Sequence, residues 1–281
     1  MLGEVDGWPA VGTEVMVERS EERAGGSAGN AALALSGMGV PHVLLASTGT
    51  DGRGDVLRAA FAADTSRWHR EPGPTTLTVA VVHRGGDRAF LTTPGHLDTT
   101  PAVALIAMVP DAPPNGIALV AGAFLMPSLH DDRLNTALRE RGWRVAVDPG
   151  WPPGGWTSAA LALAGRWIEG ADYALVNADE ALALTGAAAP SDALARLAVR
   201  GTCVVKDGAD GAWARDGSKR VHVPAPAVDV IDTVGAGDTF DAAFLHAVTA
   251  GRDLETALAE ANRVAASAIS TFPRAYGEPR G

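Results

Sequence analysis

The stretch "DTVGAGDTF", Asp232 to Phe240, sets two carboxylates around a bare Gly-Ala-Gly turn and then becomes apolar. Apolar residues recur at Phe240, Ala243, Phe244, Ala247 and Val248, the spacing of one helix face. The turn is therefore expected to join the strand-like "PAVDVID" to a helix. Glycines at a helix start expose backbone N–H groups, and the helix dipole adds positive potential, so Gly235, Ala236 and Gly237 form a candidate anion-binding turn. A carboxylate in that first turn, Asp238, is readily kept ionised. It can take a proton from a hydroxyl while the amides stabilise charge on a phosphoryl group. The mechanical alternative is a glycine turn followed by a capped helix. No G-x-x-x-x-G-K-[ST] phosphate loop occurs, and Phe240 stands where a dinucleotide fingerprint needs its third glycine.

Three further segments have residue types suited to the same chemistry. "AGGSAGNAALALSGMGV" (24–40) places Gly25, Gly26 and Asn30 at the start of an Ala/Leu helix. "VNADEALALTG" (176–186) puts Asn177 at a strand end and Glu180 three residues on, which also reads as a capping box. "VVKDGADGAWA" (204–214) is a strand, a glycine turn containing Lys206, Gly208, Asp210 and Gly211, and a second strand. Each alone has an ordinary structural reading.

The elements that must position these residues alternate. Apolar runs at 42–47, 117–122, 144–149, 173–178 and 203–208 read as buried strands, with helix-like stretches at 29–39, 54–63, 131–142 and 191–201 between them. Ser191 is the expected N-cap of the last helix and Gly201 its stop. Such alternation predicts a largely parallel, helix-covered sheet, whose ligand site lies at the carboxyl ends of its strands. Those ends carry Asp148, Asn177 and Lys206. Two regions break the rhythm. "TTLTVAVVHRGGDRAFLTT" (75–93) reads as a hairpin, and "GTEVMVERSEERAGG" (12–26) opens with strand-like alternation at Val15 and Val17.

Bulk properties narrow the function classes. A chain of 281 residues buries a substantial core. A net charge of -10 disfavours nucleic acid and anionic membrane as partners. With only two lysines, Lys206 and Lys219, a phosphate ligand must be held by backbone amides, arginine or a metal. The single Cys203 excludes an intrachain disulfide and a Cys-rich zinc site. No signal-peptide pattern or membrane-length apolar run occurs, so a cytoplasmic protein is expected.

In this order and spacing the four segments resemble the ribokinase (PfkB) family of carbohydrate and nucleoside kinases, over about residues 12 to 270. The resemblance implies a single three-layer ribokinase-like α/β domain over 1–281, with a mostly parallel central sheet covered by helices. It also implies a small antiparallel β lid built from about 12–24 and 75–96, through which two copies could pair. The implied activity is ATP-dependent phosphorylation of a hydroxyl on a small sugar or sugar derivative. By resemblance, Asp238 is the general base and Gly235, Ala236 and Gly237 are the anion hole. Glu180, with Asn177, organises Mg2+ and the nucleotide phosphates, and Asp232 matches an acid that binds a monovalent cation such as K+ in many members. Lys206, Gly208, Asp210, Gly211 and Asn262 match the nucleotide-lining positions, and Gly25, Gly26 and Asn30 the acceptor-binding motif. A sugar-gripping aspartate is expected near the N-terminus, where Asp6 is the nearest acid.

The chain also departs from the family pattern. Little of the usual first strand precedes Gly3, and "STFPRAYGEPRG" replaces the small-residue segment that completes the cation and adenine sites. The second departure counts against cation activation despite Asp232. The alternatives are a nucleoside kinase of the same family and a catalytically impaired sugar- or nucleotide-binding protein. A nicotinamide oxidoreductase lacks its N-terminal glycine fingerprint.

Overall fold

The computed structural model describes residues 2–5, 8–17, 20–83 and 88–276. The elements run β1 (Leu2–Val5), β2 (Ser20–Glu21), α1 (Ser27–Gly37), β3 (Leu44–Thr48), α2 (Gly52–Ala59), β4 (Ser66–Arg70), β5 (Leu77–His83), β6 (Arg88–Thr93) and α3 (Ala102–Ile106). They continue through β7 (Ile117–Ala121), α4 (Arg133–Glu140), β8 (Arg144–Asp148), α5 (Ser158–Glu169), β9 (Tyr173–Asn177), α6 (Ala178–Thr185) and α7 (Pro190–Arg196). The chain ends with β10 (Thr202–Lys206), β11 (Ala212–Asp216), β12 (Lys219–Val223), α8 (Ala236–Thr249) and α9 (Leu254–Ser270).

The central sheet has the order β12-β11-β10-β9-β8-β7. Strands β7 to β10 are parallel, and β11 and β12 extend the sheet as antiparallel hairpins. Period-two alternation sorts its side chains into two apolar layers. Leu175, Val204 and Ala146 face α8 and α9, where Phe244, Leu258 and Ala261 complete one core. The opposite face divides into two clusters. Val145 and Val147 pack with Trp167 and Phe124, while Val176, Cys203 and Val205 pack with Leu194 and Ala181. The largely parallel, helix-covered sheet expected from the alternating pattern is thus present, in the three layers that the resemblance implies. Among the described residues no helix is long and apolar enough to cross a membrane.

The second sheet has the order β2-β1-β5-β6, and β3 and β4 form a separate parallel pair. The hairpin read at 75–93 is β5 and β6, paired antiparallel from Leu77↔Thr93 to Val82↔Arg88. A strand does stand at the N-terminus, but β1 joins this small sheet, parallel to β5 and antiparallel to β2. The alternation at Val15 and Val17 does not produce a strand: both side chains are exposed, and among the described residues of 12–26 it is Ser20–Glu21 that pairs with β1.

Two local expectations change. The helix near 191 is capped at Ala189, begins with Pro190 and ends at Arg196, because proline at the first helical position sets the start ahead of Ser191. The run "PAVDVID" is not a strand. Val228, Val230 and Ile231 are exposed, and the N–H groups of Ile231 and Asp232 both donate to the Ile269 carbonyl at the end of α9.

Phe244 is fully buried between the sheet and α9. Phe244→Ala is expected to lower stability by about 3–5 kcal/mol. In urea denaturation this appears as a lower midpoint with an unchanged slope.

Candidate active site

The last residues of β8, β9 and β10 are Asp148, Asn177 and Lys206. Parallel register places Lys206 beside Asn177, so the three polar side chains gather at one edge of an otherwise apolar sheet. This is where open parallel sheets place ligands.

Lys206 Nζ lies 2.9 Å from Asp148 Oδ2 and 2.9 Å from each carboxylate oxygen of Asp241. The Lys206 and Asp148 side chains are each 10% exposed and that of Asp241 1%. Burial alone would push the ammonium's pKa down, but the charges of Asp148, Asp241 and Glu180 reverse this and raise it. Burial would likewise raise Asp148, yet Lys206 and hydrogen bonds from Asp241 and the Gly150 N–H hold it below the usual carboxylate range. Asp241 is pushed well above that range, by burial first and despite Lys206. The ammonium of Lys206, a residue expected to line the nucleotide, is engaged internally by two buried acids.

This ion pair underlies the Gly-Ala-Gly turn. Gly235 is the N-cap of α8 with φ 82°, a left-handed conformation that glycine adopts without strain. A Cβ there would lie 3.0 Å from Asn30 Nδ2, and one at Gly237 would lie 3.4 Å from Lys206 Nζ. Small residues thus let the turn settle between Asn30 and Lys206. Caps on α2, α5, α6 and α9 (Asp51, Thr157, Asn177 and Asp253) each accept a bond from the first turn, whereas α8 and α1 begin at Gly235 and Gly26 with no side-chain cap. Of the turn's amides, that of Ala236 donates to the Thr233 carbonyl at 3.1 Å.

Asp238 lies in the first turn of α8, one helical turn before Asp241. Asn30 of α1 donates from Nδ2 to Asp238 Oδ2 at 2.8 Å, joining two helix starts that lack side-chain caps. Burial and the charge of Asp148 push the Asp238 carboxyl up to about 6, against the hydrogen bonds from Asn30 and Ser27 and the charge of Lys206. A carboxyl with that pKa is ionised at neutral pH yet basic enough to accept a proton. Gly25 and Gly26 are exposed, and a Cβ on either would meet open space.

Asn177 and Glu180 form the capping box anticipated from spacing: Glu180 N–H donates to Asn177 Oδ1 at 2.8 Å and Asn177 N–H to Glu180 Oε2 at 2.9 Å. Yet Glu180 is 3% exposed, and burial with the negative charge of Asp148 pushes it up to about 7. A buried carboxylate short of positive charge suits a divalent cation held partly through water and phosphate oxygens. Among the described residues no group of three or more His, Cys, Asp or Glu is arranged to hold a metal by itself.

The remaining expected residues distribute around this centre. Gly208 and Asp210 are exposed in the turn between β10 and β11. Gly211 is buried, and a Cβ there would fall 2.1 Å from the Val223 carbonyl. Asn262 is buried, donating to the Val223 and Pro224 carbonyls at 2.9 and 3.4 Å, so it anchors the exit of β12. Asp6 lies outside the described residues. Asp232 Oδ2 is held by Arg274 at 2.8 Å and Arg23 at 2.7 Å. Neither arginine could be singled out among 21 in the sequence. Asp241 was not singled out in the sequence, because its partner Lys206 stands 35 positions before it and leaves no local signal.

Residues 5–276 match the pfkB family carbohydrate kinase profile. The chain belongs to this family. Carbohydrate kinases of the pfkB family are phosphotransferases. The chain is 28% identical over 282 residues to ribokinase of Bacillus subtilis, covering 96% of this chain and 89% of that relative. It is 33% identical over 235 residues to fructokinase of Rhizobium leguminosarum bv. trifolii, covering 79% and 70%. The structure of Arabidopsis thaliana ribokinase, complexed with ribose and ATP, superposes with a TM-score of 0.74 over 96% of this chain and 89% of that one, at 23% identity. The fold of this pfkB chain is accordingly ribokinase-like.

Lys206→Met strands two buried carboxylates and is expected to cost about 3–5 kcal/mol of stability at pH 7. The deficit should shrink as the pH falls and the stranded acids take up protons. Urea unfolding at neutral and acidic pH checks the size and the sign.

Proposed function

We propose that the chain transfers the γ-phosphoryl group of ATP to a hydroxyl of a small sugar or sugar derivative, with Asp238 as general base. The observation that carries this reading is a carboxyl tuned to about 6, held by Asn30 in the first turn of a helix that lacks a side-chain cap. Asn30, Gly25 and Gly26 would receive the acceptor, placing its hydroxyl against Asp238. The acid removes the hydroxyl proton as the oxygen attacks, and the amides of the Gly235–Gly237 turn stabilise charge on the transferred group. Asn177, Gly208, Asp210 and Gly211 would line the nucleotide, with Asn262 fixing the backbone behind it. Glu180 would hold Mg2+, which when bound supplies positive charge to the phosphates. The sheet of β1, β2, β5 and β6 is the expected lid over the sugar, excluding water from the transfer. Exposed Phe90 and Leu91 on β6 support pairing of two lids in a homodimer. The buried free thiol of Cys203 accords with a reducing, cytoplasmic setting.

The test is ATP- and acceptor-dependent ADP release across ribose, fructose, 2-keto-3-deoxygluconate and adenosine. Asp238→Asn should lower kcat by about 100- to 10,000-fold with binding of ATP retained. In the parent chain kcat/KM should fall as pH drops through about 6, where the base becomes protonated. Turnover unaffected by Asp238→Asn would overturn the reading, and adenosine as the preferred acceptor would move the chain to the nucleoside kinases.

A further inference from the structure

The acid expected to bind a monovalent cation has its oxygens taken. Asp232 Oδ1 accepts the Val234 N–H at 2.8 Å. Asp232 Oδ2 accepts from Arg274 at 2.8 Å and pairs with Arg23 at 2.7 Å. Arg274 also donates to the Asp232 carbonyl at 3.3 Å and the Val234 carbonyl at 2.6 Å, and Arg23 reaches the Val234 carbonyl at 3.5 Å. A cation seated on this carboxylate and these carbonyls would meet two guanidinium groups already bonded to them. The Asp232 and Arg274 side chains are each 12% exposed, so neither is a loose surface group. The donor set does not fit a free monovalent ion.

The segment that delivers Arg274 is itself seated. Ala275 N–H donates to Thr271 Oγ1 at 2.8 Å, and Tyr276 packs against α1. A Cβ at Gly37 would lie 2.6 Å from the Tyr276 ring, so the glycine makes room for that contact. A Cβ at Gly235 would lie 3.1 Å from Arg274 Nη1, which puts the guanidinium against the catalytic turn. Arg274 thus lies one residue from the N-cap of α8 and bonds the carbonyls that precede it.

We propose that Arg274, assisted by Arg23, is the built-in counter-cation of the Asp232–Gly235 turn, holding the anion-binding turn in position without a monovalent metal ion. The proposal rests on the phosphotransfer reading for its catalytic consequence, but not for its statement about cation binding. Arg274 and Arg23 are positioning residues: they bond Asp232 and Val234 carbonyl and carboxylate oxygens rather than substrate. A guanidinium supplies the fixed charge and also shapes the turn through several donors, which a spherical ion cannot do.

Turnover is measured at constant ionic strength in potassium, sodium and tetramethylammonium chlorides. The parent chain should vary by less than about twofold among them, whereas Arg274→Ala should lose about tenfold or more in kcat with little change in acceptor KM. Potassium, or guanidinium ion below denaturing concentration, should restore part of that loss, a rescue that a purely structural role would not allow. Independently of any turnover, thallium-205 NMR should show no specific thallium site in the parent chain, and its melting temperature should be the same in potassium and tetramethylammonium. Several-fold activation of the parent chain by potassium, a specific thallium site in it, or full cation-independent activity of Arg274→Ala would overturn the proposal. If Arg274→Ala does not fold, the thallium and melting measurements on the parent chain decide. Absence of Asp238-dependent turnover with every acceptor would refute the kinase reading and leave those two measurements standing.

Discussion

The constraint beneath the site is the burial of Lys206 between Asp148 and Asp241. An ammonium and two carboxyls have been taken out of water at the end of an apolar sheet, and each is tolerable only with the others in place. Their positions come from three separate elements: the tips of β8 and β10 and the second turn of α8. The pair therefore fixes α8 against the sheet edge, and with it the height of the Gly235–Gly237 turn. Its charges also reach outward. Asp148 raises both Asp238 and Glu180, while Lys206 pulls both back. The acidity of the candidate base is set from beneath by groups that would not touch a substrate.

A second electrostatic layer lies on the other side of the turn. Arg274 and Arg23 converge on Asp232 and the Val234 carbonyl, and Ile269 accepts the N–H groups of Ile231 and Asp232. The turn is held from below by an ion pair with one lysine and from the side by two arginines. No side chain caps α8, and the Ala236 amide at its start donates to the Thr233 carbonyl.

Residue type and spacing alone settled several features. The alternating apolar runs required a helix-covered sheet, since period-two and period-3.6 patterns bury different faces. A Gly-Ala-Gly turn followed by apolar spacing opens a helix, which begins at Ala236, and Asn177 with Glu180 caps one. These are local statements, made by backbone conformation within a few residues, and so they were legible in order. The boundaries that shifted, at Ser191 and in "PAVDVID", shifted because proline placement and a bond to α9 outweighed the local pattern.

What the chain order could not reveal were contacts between residues far apart in it. Lys206 looked like a turn residue near a nucleotide because its partners stand 58 positions before it and 35 after it. Arg23 and Arg274 were two among many arginines until folding brought both termini of the domain to Asp232, 211 and 40 positions from the carbonyl they share. Charge interactions act through space and depend on burial, and neither distance nor burial is written in a local pattern. Sequence by itself determined which groups could perform a phosphoryl transfer. The tertiary structure decided which of them are bonded to one another inside the molecule, as Lys206 is to Asp148 and Asp241, because those contacts join residues far apart in the chain.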